Sequence, residues 1–224
     1  MKKELKVNKW EVLAILSAVY CAFTCIMNLF EMKTLGTETF AVGGGGVMVS
    51  WAVFMIMDIV TELYGEKMAI KVYTIAGIVN LVIVILAQVI IAIPGVYPEQ
   101  NAAFAQIFSN GVRTAFSSFA AFWCGNFVNV HIMAKMKASR GDKDTKGWLF
   151  VRAVLSTILG QFVDNMLFAT LAFAPIGLSL FEMNWKDIFT SSVMGVFNET
   201  VIEMLFVPFI TIPLSVKLSK SFTE

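Results

Sequence analysis

The sequence predicts an all-α integral membrane protein of six transmembrane helices with both termini in the cytoplasm. Three observations carry that prediction. Of 224 residues, 58% are apolar and only 15% charged, with 20 Phe and 13 Met; a soluble domain usually carries about 45–50% apolar and about 25% charged residues. The apolar residues fall in runs of about 20, the length a bilayer demands. Lysine and arginine crowd one side of those runs. Such a composition excludes a nucleic-acid binder, a disordered chain and a disulfide scaffold.

The runs are taken in order as a single domain, 1–224. The first, 10–30, is full length and lacks a small-residue cleavage site, so it reads as a retained span rather than a signal peptide. The second, 42–61, opens on Gly43-Gly44-Gly45-Gly46. Four glycines forfeit roughly 3–4 kcal/mol of helix propensity relative to alanine, which predicts either local unwinding or an extracellular turn with close helix packing. The third run is 70–94, with Asn80 and Gln88 as hydrogen-bonding glue between helices. The fourth, 103–134, and the sixth, 188–216, are long enough to tilt or project past the bilayer. The fifth is 150–173. Each run can cross a hydrocarbon core of roughly 30 Å, and none alternates with period two as a barrel strand would.

Orientation follows from the basic residues. Lys2, Lys3, Lys6 and Lys9 precede the first run, and Lys67 and Lys71 follow the second. Lys135, Lys137, Arg140, Lys143, Lys146 and Arg152 flank the loop 135–149, and Lys217 and Lys220 close the chain. The opposite loops hold only Lys33 and Lys186, while Arg113 lies inside a run. The positive-inside rule therefore puts both termini in the cytoplasm. Cys21, Cys25 and Cys124 sit within runs without acidic or His company and read as packed thiols, not metal ligands.

An ionisable group in hydrocarbon is costly unless paired or wetted. The interior candidates are Asp58, Arg113, Asp164, Glu199 and Glu203, with Glu62 at the end of the second run and Asn126, Asn129, Gln161, Asn165 and Asn198 beside them. Helical spacing places Asp58 with Glu62, Gln161 with Asp164 and Phe168, and Glu199 with Glu203 on common faces. Two readings stay open for several of these. Asp58 and Glu62 either face the interior or end a helix among headgroups; Arg113 is either an ion-pair partner or a ligand contact. His131 reads as interfacial. With all ionised, Asp58, Asp164, Glu199 and Glu203 against Arg113 leave a balance of −3, which suits a cation or a neutral molecule rich in N–H donors. A faint internal echo sets GNFVN (125–129) against GQFVD (160–164).

The segment DIVTELYGEKMA (58–69) resembles the D-x-x-x-E-x-Y-G-x-x-x-A signature of the queuosine precursor transporters, also called the vitamin uptake transporter or YhhQ-like family. Arg152, Ser156, Thr157, Gln161, Asp164 and Phe168 resemble its R-x-x-x-S-T-x-x-x-Q-x-x-D-x-x-x-F stretch, and Glu203 shortly before Pro208 fits as well. Two departures touch the site: Asn126-Phe127-Val128-Asn129 stands where the family pattern expects Gln-x-x-Asp, and Glu199 where it expects lysine.

The resemblance implies uptake of a 7-deazaguanine such as a queuosine precursor, or of queuine, across the plasma membrane, with no ATPase of its own and no cofactor. A carboxylate can accept the adjacent N–H donors of a guanine-like edge as a bidentate pair. The candidate substrate site is Asp58, Glu62, Arg113, Asn126, Gln161, Asp164, Glu199, Glu203 and Trp123; Trp51 and Phe168 are alternative stacking partners. Expected partners are the deazapurine base, membrane lipid and a second copy in a homodimer, and not nucleic acid. The competing reading is the substrate-binding subunit of an energy-coupling-factor vitamin transporter, whose docking helix carries small residues at the spacing of Ala14, Ala18 and Ala22. An enzyme is not expected, since G-x-G-D, H-E-x-x-H and a P-loop are all absent and His131 is the sole histidine.

Overall fold

Helix α1, Lys9–Phe30, starts where the Asn8 side chain accepts from the Trp10 amide (2.9 Å). Only Val12, Tyr20 and Thr24 of it are buried. Leu13, Leu16, Cys21, Phe23 and Met27 pack partly buried beside that stripe, while exposed Trp10, Ile15, Val19 and Leu29 present an apolar surface suited to lipid. The computed structural model describes residues 7–30, 33–37, 40–108, 112–141, 145–176 and 182–222, without the side chains of 34, 40–44 and 112–115.

The chain is helical as expected apart from a small antiparallel hairpin after α1, β1 (Thr34–Thr37) with β2 (Phe40–Gly44). It absorbs the start of the glycine run, which the sequence had assigned to a helix from residue 42. Gly45 follows in a turn, where its N–H donates to the Lys33 carbonyl (2.7 Å), and a Cβ there would come within 2.5 Å of the Phe30 carbonyl oxygen. Glycine supplies that close approach and is poor helix material, so α2 begins only at Val47.

Helix α2, Val47–Tyr64, is the central element; every residue of 52–61 is buried. Gly65, at φ 81°, breaks it, and α3 (Glu66–Ala92) leaves at once. Ile93-Pro94 ends α3, as proline cannot continue a helix. The predicted fourth span, 103–134, divides in two. Helix α4 (Pro98–Phe108) has 11 residues, none buried; at 1.5 Å per residue it reaches about 16 Å, too short to cross. Gln88 on α3 holds it by donating to the Phe108 carbonyl (2.6 Å). Helix α5, Val112–Arg140, has 29 residues and packs between α3 and α6.

Helix α6 (Lys146–Phe173) is capped by Thr145, whose hydroxyl accepts from the Trp148 amide. Helix α7 (Trp185–Phe206) is capped by Asn184. It runs through a wide π turn, Val207–Thr211, into α8 (Ile212–Ser221). Pro208 and Pro213 lack the N–H that a regular ladder needs, which accounts for the widened turn at that point.

Five of the described helical stretches are long and apolar enough to cross a membrane: α1, α2, α3, α6 and the continuous Trp185–Ser221. Exposed Ile75, Ile78, Val82, Ile85, Leu86 and Val89 give α3 a lipid-compatible outer face. A core of Tyr20, Val53, Met57, Val60, Tyr73, Phe122 and Val130 joins α1, α2, α3 and α5.

One end of the bundle gathers the lysines. There Tyr64 donates to the Lys9 carbonyl (2.7 Å), the Lys9 ammonium lies over the Tyr64 and Phe222 rings, and Val7 bridges to Phe222. Lys137 meets Glu62, and Trp148 donates to the Met136 carbonyl. This basic end closes α1, α2, α5, α6 and α8 onto one another.

Candidate functional site

The opposite half of the bundle holds a cavity of about 660 Å³, within the range of roughly 300–1,000 Å³ typical of small-molecule sites. Met27 and Asn28 of α1, Val47, Ser50 and Phe54 of α2, Ser118 and Phe122 of α5, Asp164, Asn165 and Phe168 of α6, and Ser192, Asn198 and Glu199 of α7 form its walls. Asn165 donates to the Gln161 carbonyl (3.0 Å) and to the Glu199 carboxylate (3.4 Å), so α6 and α7 share one polar wall. Gly195 leaves the space for it: a Cβ there would lie 3.1 Å from Asn165 Oδ1. Phe54, Phe122 and Phe168 supply flat apolar surface. Aromatic faces with a few polar groups are the usual composition of a site for a planar heterocycle.

Two glycines set where Asp164 stands. A Cβ on Gly125 would fall 2.7 Å from Asp164 Cβ and 2.8 Å from the Gly160 carbonyl. A Cβ on Gly160 would fall 2.8 Å from Asn129 Cβ and 2.8 Å from the Gly125 carbonyl. The relation is reciprocal: α5 and α6 cross backbone to backbone, with Gly125 under Asp164 and Gly160 under Asn129. The echo GNFVN/GQFVD is thus the two sides of one antiparallel helix crossing. Close glycine approach is a common way for membrane helices to pack.

Below the cavity, toward the basic end, the polar residues are buried. Tyr20 donates to Asn126 Oδ1 (2.9 Å), and Asn126 returns its amide to the Phe122 carbonyl. Asn129 donates to Thr157 (3.4 Å), which donates to Glu203 Oε1 (2.7 Å). Thr200 donates to Gln161 Oε1 (3.4 Å). Asp58 is completely buried among Asn129, Arg152 and Glu62. At the bottom, Glu62 binds Arg152 (2.5 Å) and Lys137 (3.1 Å), tying α2 to α5 and α6.

The candidate residues therefore divide. Asp164 and Glu199 are on the cavity wall; Asn126, Gln161, Asp58 and Glu203 lie beneath it; Glu62 belongs to the ion pairs at the base. Trp123 stands apart from them. It is 36% exposed on the outer face of α5, donates to Thr74 (3.2 Å) on α3 and stacks on Phe127, because its position turns it away from the α6 side. Trp51 stacks on Phe206 at 4.1 Å and is likewise not a wall residue. The side chain of Arg113 lies outside those described.

Arg152 went unrecognised as an interior group. The sequence sets it among the loop charges, yet it is fully buried; its place inside LFVRAVL (149–155), with apolar residues on both sides, is the signal of that burial. Asn165 and Asn198, which the sequence places among the interior amides but not in the expected substrate site, are wall groups.

Apolar helices around a largely apolar cavity with a few polar wall groups define a multi-pass membrane protein with room for a small solute. The family model described as "Putative vitamin uptake transporter" matches residues 44–212, three quarters of the chain, and the chain belongs to that family. No curated protein and no solved structure matches it. The transporter family accords with a role in transport rather than catalysis.

Proposed function

We propose that this protein imports a 7-deazaguanine, a queuosine precursor or queuine, across the plasma membrane by alternating exposure of the cavity at Asp164. The observation that carries the reading is the cavity wall itself. Asp164 and Glu199 offer acceptors for a guanine-like N–H edge, Asn165 and Asn198 offer donors as well, and Phe122 and Phe168 offer faces for a flat base. The wall's acidic character favours a donor-rich or cationic solute over an anion.

In this reading α5 is the sixth crossing. Its 29 residues reach about 43 Å, and its buried Asn126 and Asn129 face α1 and α6 rather than lipid. The basic end is cytoplasmic by the positive-inside rule, so the cavity belongs to the outer half and the Glu62 ion pairs form the inner seal. Asp58, Asn126, Gln161 and Glu203 line the route that opens when the seal parts.

The test is uptake in cells unable to make the precursor. Expression should restore queuosine in tRNA when the base is supplied outside; absence of restoration, with the protein present in the membrane, overturns the reading. Counterflow by the purified chain in liposomes without ATP separates a carrier from a capture subunit, which binds without moving its ligand.

A further inference from the structure

Among the described residues, Glu203 is one of two carboxyl groups buried in the bundle beneath the cavity, outside its wall. Glu203 is 1% exposed. Its Oε1 accepts from Thr157 (2.7 Å), while its Oε2 is buried without a hydrogen-bond partner. The charged groups acting on it are Asp58 from α2 and Glu199 one turn up its own helix, and both are acidic. The cation of this region, Arg152 on α6, faces Asp58 and is held by Glu62. Asp58, also fully buried, has neither oxygen in a hydrogen bond of ordinary geometry, and the Asn129 carbonyl oxygen beside it is unpartnered too. On the π turn and α8 the hydroxyls of Thr211 and Ser215 are also buried without a hydrogen-bond partner. An isolated ionised carboxylate in such surroundings costs far more than its neutral form. Thr157 and an acid proton on Oε2 directed at Asp58 would leave Glu203 satisfied; an anion would not be.

We propose that Glu203 is a proton-carrying site, one proton on its carboxyl group being taken up from the cavity side and released at the basic end in each transport cycle. The placement suits that task. Glu199, on the cavity wall, stands four residues before Glu203 and so one helical turn above it. Glu203 sits between the cavity and the Glu62–Arg152 seal. When the seal parts, water reaches the carboxyl group, Oε2–H gives its proton to that water, and the carboxylate is reprotonated from the cavity on return; no electrons move. Protonation is a property of Glu203 alone, and only the transport consequence rests on the carrier reading.

Two measurements decide it. Infrared difference spectra of the wild-type protein between acid and alkaline pH should show a protonated-carboxyl C=O stretch that Glu203→Gln lacks and Glu199→Gln keeps. If Glu203→Gln does not fold, carbon-13 labelling of glutamate in the Glu199→Gln protein must shift the same band. A band that survives Glu203→Gln, or that ignores the label, overturns the proposal. In liposomes, one pH unit should drive about tenfold accumulation of uncharged 7-deazaguanine through the wild type. Any counterflow that Glu203→Gln keeps should be indifferent to the gradient, and gradient-driven accumulation by that variant overturns the coupling. Wild-type counterflow indifferent to the gradient overturns the coupling; absence of wild-type counterflow overturns the carrier reading and leaves the infrared result to decide the proton.

Discussion

At the scale of residues, the chemistry rests on a few polar groups whose surroundings differ sharply. Asp164 faces the cavity from a position that Gly125 and Gly160 hold close to the helix crossing. Replacing it with Asn removes charge and one acceptor at nearly constant volume. A hydrogen bond to a charged group contributes about 1.5–3 kcal/mol, so affinity should fall about 10–100-fold. Uptake by Asp164→Asn should vanish at low substrate while a thermal melt of the purified variant stays at the wild-type temperature. Arg152 behaves in the opposite manner. It is fully buried and pairs with Glu62, and removing one partner of a buried pair costs about 3–5 kcal/mol. Arg152→Met should therefore lower the melting temperature severely, and Arg152→Met with Glu62→Gln should recover part of it. An unchanged melt for Arg152→Met would contradict the pairing.

At the scale of elements, the α5–α6 crossing is the feature most sensitive to small changes. Gly160→Val would drive side-chain atoms into Asn129 and the Gly125 carbonyl. Overpacking costs about 1–3 kcal/mol, and the displaced α6 carries Asp164 with it. The variant should lose both stability and uptake, whereas Gly147→Ala near the helix start, where the nearest atom to the added Cβ is 4.0 Å away, should lose neither.

The crossing also shows what was legible in the sequence. Hydrocarbon demands length and apolarity, so most spans could be read directly. Asp58, Gln161, Asp164, Glu199 and Glu203 were singled out because ionisable groups and amides are scarce in such runs. The echo of GNFVN and GQFVD was visible, but its meaning as a contact depends on how the helices meet. Hydropathy also treats glycine as neutral material, which is why the start of 42–61 was read as helix when it is strand and turn. Apolar α4 merged with α5 because no charge divides them. Trp123 was misplaced because residue type says nothing of which helix face points outward, and Arg152 because a charge near the start of an apolar run resembles a flanking one.

At the scale of the whole molecule, the cavity and the ion-paired seal occupy opposite halves. In the proposed reading that asymmetry is one exposure of an alternating-access cycle, and it carries a topological expectation. A cysteine placed at exposed Thr37 in the hairpin should react with a membrane-impermeant reagent from outside intact cells, and one at Lys146 should not. The reverse pattern would invert the orientation. In that reading, opening the seal requires Glu62 to leave Arg152 and Lys137, so Glu62→Gln should weaken closure of the basic end and raise labelling of Ser156→Cys, a buried position one turn beyond Arg152 on α6, from the cytoplasmic side.

The claim that the cavity at Asp164 holds a deazapurine is tested most directly by thermal stabilisation of purified protein with a panel of bases. At a ligand concentration of about 100 Kd, binding adds about 2.7 kcal/mol, which a melt resolves. The account predicts that 7-deazaguanines raise the unfolding temperature of the wild type, guanine raises it less, and Asp164→Asn responds to none. No shift with any base, or an equal shift in Asp164→Asn, would contradict it.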